Sequence, residues 1–228
     1  MNTNASPNGN ADSSLVISFL TLRKAVGILG ILLPVGLAIG VPLLSECRQI
    51  QDSISDYYYT KMNSFMVGTL CAVGLFLFSY KGYEKRDTIA SKFACIFALG
   101  VAFFPTTGPA AASICNFLHW NSDPWVGTIH NISAALFFLT LAYFCLFLFV
   151  KTSGHPTKRK KKRNVVYKIC GYTILACIVL LFLYFKIAKL QEMLKDYKPI
   201  FVLEALALWA FGISWLTKGE FILKDNKQ

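Results

Sequence analysis

Two ionisable side chains sit in sequence that is otherwise apolar. His130 lies within WVGTIHNISAALFF and Glu204 within PIFVLEALALWAFG. In a hydrocarbon environment each needs a partner, and an imidazole beside a carboxylate can share a proton, orient a nucleophile or hold a polar ligand. Residues 45–63, SECRQIQDSISDYYYTKMN, add Ser55, Asp56 and the run Tyr57, Tyr58, Tyr59, and residues 107–124, TGPAAASICNFLHWNSDP, add His119. Two chemistries fit these residue types. In one, His130 is a general base oriented by Glu204 or Asp56, with Ser55 or water as nucleophile, which is the constellation of a hydrolase or acyl transferase. In the other, Asp56 and Glu204 supply charge, His130 a switchable hydrogen bond, and His119 with the three tyrosines an amphipathic rim for a bound ligand.

The elements that must position these groups are apolar runs. The chain has 228 residues, 55% of them hydrophobic, with mean hydropathy +0.50. Its apolar residues fall in blocks of roughly the 17–25 residues that cross a bilayer. The blocks read as six spans, at about 23–44, 64–80, 89–106, 125–150, 167–185 and 199–216. A first apolar run followed by five more reads as a signal anchor rather than a cleaved leader. Positive charge orients the spans. Most of the 23 Lys and Arg, including Arg23, Lys24, Lys85, Arg86, Lys151, Lys168 and Lys218, fall on the side that also carries both termini; the other side holds Arg48, Lys61, Lys186, Lys189, Lys195 and Lys198. The expected class is therefore all-α: a polytopic bundle of six transmembrane helices with both ends in the cytoplasm. Residues 1–14 read as a disordered tail, 15–218 as the membrane domain and 219–228 as a second tail. His130 and Glu204 each follow the outer start of a span by five residues, so at ~1.5 Å per residue both lie about 7 Å below the outer boundary. That shared depth makes them natural partners.

Packing features are also legible. Gly36-x3-Gly40 and Ala90-x3-Ala94-x3-Ala98 are small-residue stripes that permit close helix approach, and Pro34 predicts a kink. Val67-Gly68-Thr69-Leu70 and Val126-Gly127-Thr128-Ile129 open two helices alike and hint at duplicated hairpins. Of the seven cysteines, Cys71, Cys95, Cys145, Cys170 and Cys177 fall inside spans as small apolar residues. Cys47 and Cys115 fall in outward loops and can pair if that compartment is oxidising, a question spacing leaves open. The run Lys158, Arg159, Lys160, Lys161, Lys162, Arg163 is topogenic first and a surface for anionic lipid second. The net charge of +11 follows from topology and is no argument for nucleic acid. Phosphate loops, His-Glu-x-x-His, Gly-x-Ser-x-Gly and Cys-x-x-Cys are absent. No metal and no cofactor is expected, since a zinc site needs three converging protein ligands.

The stretches Ser53 to Thr60, Phe78 to Tyr83 and Ile129 to Phe138 resemble a group of uncharacterised bacterial multi-pass membrane proteins, over roughly residues 25–150. More distantly, a Ser-rich outer motif followed by a His-containing small-residue helix resembles the autophagy-modulator and GPI-lipid-remodelling six-span superfamily. That second resemblance implies a lipid-related role with Asp56 and His130 at the matching positions. The expectation drawn from all this is a cell-membrane protein, in the inner membrane if the source is bacterial, that takes membrane lipids as partners and can self-associate through its helices. Its leading activity is binding a lipid headgroup or small amphiphile in an outward polar pocket. Intramembrane lipid hydrolysis or acyl transfer through His130 is the alternative, and small-molecule transport a third.

Overall fold

The computed structural model describes residues 8–80, 82, 84–108, 115, 117–118, 123–152 and 154–224. Among them every regular element is helical. The long helices are α1 (Asn8–Leu44), α2 (Asn63–Phe78), α3 (Lys85–Phe103), α4 (Pro124–Tyr143, continued by a π turn at Phe144–Leu148), α5 (Lys158–Lys186) and α7 (Pro199–Lys218). A seven-residue α6 (Ala188–Leu194) lies between the last two. α1 begins at Asn8, inside the segment read as a tail.

Four helices are long and apolar enough to cross a bilayer: Phe19–Leu44, Pro124–Leu148, Lys158–Lys186 and Pro199–Lys218. They make the chain a multi-pass membrane protein. The other two expected spans form helices that fall short by these measures. α2 has 16 residues, about 24 Å at 1.5 Å per residue. α3 carries Lys85, Arg86, Asp87 and Lys92 toward its start. Hydropathy blurs such differences because a run of apolar residues does not show where a helix is capped: Glu84 and Asp87 form a capping box that sets the first turn of α3.

Each long helix packs on the next, and α7 closes the ring against α1 and α5. The outward faces are apolar all round, with Ile39, Leu75, Ile96, Phe147, Phe182 and Val202 exposed. A water-soluble fold does not leave such surface uncovered. Because lipid is as apolar as leucine, helix association rests on close packing rather than on burial from water. Gly27 on α1 and Gly212 on α7 supply it: a Cβ on Gly212 would lie 2.7 Å from the Gly27 carbonyl oxygen, and one on Gly27 would lie 2.8 Å from that of Gly212. The Gly36 and Gly40 stripe works differently, receiving the Phe65 ring and the Met62 side chain rather than a backbone. Ala94 and Ala98 are fully buried, with Ala98 facing Gly74 of α2. The two short echoes diverge in their packing, since Gly68 faces open space and Gly127 abuts Thr107.

The Gly27–Gly212 crossing yields a test. No rotamer change can relieve a clash with a backbone carbonyl, so Gly212→Val is expected to destabilise the fold by about 1–3 kcal/mol. Thermal unfolding in detergent should show the loss, whereas Gly68→Val should leave the transition in place.

Candidate functional site

The end of the bundle opposite the basic run, the outer end of the expected topology, is closed by chain rather than by side chains alone. After α1 the backbone turns in, and a five-residue 3₁₀ turn, Ser55–Tyr59, seats itself over the mouth of the bundle. Ser53 and Asp56 form its start. The Asp56 Oδ2 accepts from the Ser53 amide at 2.9 Å, and the Asp56 amide donates to Ser53 Oγ at 3.0 Å. This is the reciprocal box of a helix start, and the spacing Ser-x-x-Asp was its available signal in the sequence. Burial holds the Asp56 carboxyl above its ordinary range, a rise that the Ser53 hydrogen bonds partly offset.

The three tyrosines expected at a ligand rim have other work. Tyr57 and Tyr59 are buried. The Tyr57 hydroxyl accepts from the Gln51 amide at 3.4 Å, and its ring meets Phe201 of α7. The Tyr59 hydroxyl donates to the Thr106 carbonyl, and its own carbonyl accepts from the amides of Phe117 and Leu118. A phenol buried in apolar surroundings needs a partner for its hydroxyl, and here the partner is backbone. Tyr58 is half-buried. The two outer loops are joined covalently by a disulfide between Cys47 and Cys115, whose Cα atoms are 4.8 Å apart.

His130 and Glu204 both reach this turn from below. His130 is 3% exposed. Its Nε2 lies 2.8 Å from Ser55 Oγ, and its Nδ1 lies 2.6 Å from the Phe104 carbonyl oxygen, where α3 ends. A carbonyl only accepts, so Nδ1 carries the proton in the neutral ring. Nε2 is then the acceptor and the Ser55 hydroxyl the donor. Glu204 Oε2 accepts from the Ile54 amide at 2.7 Å. Phe201 donates from its amide to the Asp52 carbonyl at 2.9 Å, and Lys198 pairs with Asp52, which fixes the start of α7 against the same loop.

The expected direct partnership of His130 with Glu204 is thus replaced by one through consecutive loop residues. Glu204 holds Ile54 and His130 holds Ser55. That both helices reach one turn fits their equal count from the helix starts, but the insertion of a loop between the two helices was not readable from the sequence. The Phe104 carbonyl is the participant that sequence reasoning missed, because a backbone acceptor leaves no mark in residue type. His119 lies outside the described residues. Among the described residues no three His, Cys, Asp or Glu side chains converge as metal ligands.

Beneath the turn is a cavity of about 30 Å³, lined by Ser55 and Glu204 on its polar side and otherwise by groups such as Leu33, Met66, Leu70, Val101, Phe137 and Leu208. That is room for a water or two. No protein-family model matches this chain, and no curated protein and no solved structure is significantly similar to it. The functional reading therefore stands on the geometry of this cluster.

Two outcomes follow. Alkylation under denaturing, non-reducing conditions should modify five cysteines, those outside the disulfide, and all seven only after reduction. Closing a loop of 68 residues contributes about 2–4 kcal/mol, so Cys47→Ala with Cys115→Ala should lower the melting temperature. The second concerns Asp56. Its folded-state pKa is raised, so the folded chain holds the extra proton, and the contribution of this group to stability is lost as pH climbs upward from 3.8. Asp56→Asn keeps an oxygen for the Ser53 amide, and should flatten that component of the fall in melting temperature between about pH 4 and pH 7.

Proposed function

We propose that the chain is a six-span membrane protein with both termini in the cytoplasm, and that Ser55 and His130 carry acyl transfer on an ester of a membrane lipid at the outer face. Three observations support the topology. The bundle is a closed ring of six helices, α2 and α3 expose apolar side chains outward as the four long spans do, and the disulfide sits at the end opposite the basic one, as an oxidising outer compartment favours. The short α2 is completed at its outer start by the inserted turn, and the charges of α3 gather in its first two turns at the basic end.

The observation that carries the chemistry is the hydrogen-bonded order Ser55 Oγ, His130 Nε2, His130 Nδ1, Phe104 carbonyl. A serine hydroxyl is a poor nucleophile until a base takes its proton as it attacks. Here the base points its free lone pair at that hydroxyl, and its other nitrogen is held in the required tautomer. Ser55 Oγ adds to the ester carbonyl while His130 Nε2 takes the proton. The C–O bond to the alcohol then breaks as the same proton passes to the leaving oxygen, giving an acyl-serine. Water, or a second alcohol, attacks this acyl group with His130 again as base, and Ser55 Oγ recovers the proton. Hydrolysis or transfer depends on which acceptor arrives.

The apolar lining under Ser55 suits an acyl chain rather than a charged headgroup. In the closed state it admits only water, so substrate entry parts the turn from α7, and the Glu204–Ile54 hydrogen bond is the contact that opens. Binding a headgroup in a standing polar pocket has less support, because the polar groups at the mouth are engaged with one another and the space is small.

A fluorophosphonate probe applied to native membranes tests the reading. It should label Ser55, identified by peptide mass spectrometry, and Ser55→Ala should abolish the label. His130→Ala should slow labelling by about 10²–10⁴-fold, whereas Asp56→Asn should label at a rate close to the parent. An unlabelled Ser55, together with identical lipidomes for cells overproducing the parent and Ser55→Ala, would falsify the assignment.

A further inference from the structure

The cavity beneath the inserted turn has walls of unequal chemistry. Leu33 of α1, Met66 and Leu70 of α2, Val101 of α3 and Phe137 of α4 make much of it, and only Ser55 and Glu204 bring polar side chains to it. Glu204 and Leu208, one helical turn apart, both line it, so α7 turns this face toward the space. The acid of the turn itself is engaged elsewhere. Asp56 closes on Ser53 and is not part of the wall.

Glu204 uses one of its two carboxyl oxygens on the loop. Oε2 accepts from the Ile54 amide at 2.7 Å, and among the described residues Oε1 has no hydrogen-bond donor. A carboxyl oxygen among apolar side chains needs one. The space that Glu204 lines, about 30 Å³, fits a water or two and nothing much larger. Ile54 and Ser55 are chain neighbours. The turn that Glu204 holds at Ile54 therefore also presents the Ser55 hydroxyl, with His130 Nε2 2.8 Å from it. A water in this space has a carboxyl group and the serine in its walls, and the base one hydrogen bond beyond that serine.

We infer that the acyl acceptor at this site is water held by Glu204 Oε1, so that the chain hydrolyses its ester rather than passing the acyl group to a second alcohol; this rests on the Ser55–His130 chemistry proposed above. Once the alcohol has left, the turn closes on α7 again and the acyl chain lies along the apolar walls. The water donates one hydrogen bond to Glu204 Oε1 and directs its other proton at His130 Nε2. Its oxygen adds to the acyl carbon as Nε2 takes that proton. The bond from this carbon to Ser55 Oγ then breaks, the proton passes from Nε2 to Oγ, and a carboxylic acid leaves. Glu204 is thus a residue that orients the water, and its help falls on the second half of the reaction alone.

The full-length protein in mild detergent, supplied with p-nitrophenyl octanoate, tests this, because nitrophenolate reports acylation and octanoate reports completed turnover. Glu204→Gln keeps an oxygen for the Ile54 amide and puts a donor where the free oxygen was. It should release its first nitrophenolate within severalfold of the parent rate and later ones about 10²-fold more slowly, the loss that a misplaced reactant brings. Mass spectrometry after acid quenching should find octanoyl on Ser55 in this variant. Equal loss of the first and later turnovers, or no loss at all, overturns the inference and leaves Glu204 as a support for the loop. The parent gives a second readout that needs no variant to fold. With decanol added, octanoate should remain its main product, and decyl octanoate as the main product overturns the inference while sparing Ser55. Nitrophenolate release equal in the parent and Ser55→Ala sinks the serine chemistry itself, and the water-holding role with it.

Discussion

A stretch of backbone that leaves helical geometry near hydrocarbon must find new partners for its N–H and C=O groups, because no solvent is there to take them. In this molecule that stretch is the outer loop after α1, and most of the outer end is organised around satisfying it. Glu204 accepts from the Ile54 amide, Asp56 from that of Ser53, and Thr60 Oγ1 donates to the Tyr57 carbonyl. The carbonyl of Tyr59 takes two amides from the second loop. Each of these partners is charged or polar in a segment that lipid would otherwise exclude. The carboxylate on α7 thus has a structural duty as well as a place in the cavity wall, and the loop that it holds is the one that brings Ser55 to His130.

The same constraint explains why the tyrosines point inward. A loop pressed against helix ends has apolar side chains beneath it and backbone beside it, and a phenol serves both. Tyr57 packs on Phe201 and accepts from Gln51, while Tyr59 packs against Tyr58 and reaches Thr106. The disulfide between Cys47 and Cys115 adds a covalent limit on how far the two loops separate. The turn meets α7 through a single hydrogen bond at Ile54, flanked by the Lys198–Asp52 pair and the Phe201 amide.

Much of this was legible in residue order, and the rest was hidden for definite reasons. The positions of four long helices follow from apolar length, because each reaches what a bilayer needs. Counting residues from the helix starts puts His130 and Glu204 at the same level of their helices, and both do meet the loop after α1. Their mutual contact did not follow, since helix rotation and loop insertion depend on packing that hydropathy does not encode. The Gly36-x3-Gly40 stripe showed where a close approach occurs but not that side chains of Phe65 and Met62 fill it, whereas the backbone crossing lies at Gly27 and Gly212. The division of the basic run into two inward and four outward residues was likewise invisible, because a helix of uniform charge carries no periodic contrast from which to read a face.

The two ends of the bundle solve opposite problems with the same means. At the outer end a backbone segment enters the helix ring, and half-buried acids and a buried histidine satisfy its donors. At the basic end cations enter, and rings satisfy them: Tyr80, Phe149 and Tyr167 each lie under one. Aromatic faces attract a cation without neutralising it, and Lys160 Nζ in addition donates to the Phe149 carbonyl at 2.7 Å. A carboxylate in place of each ring would have made that end an ion-pair network; rings instead pack with the core while they hold the cations.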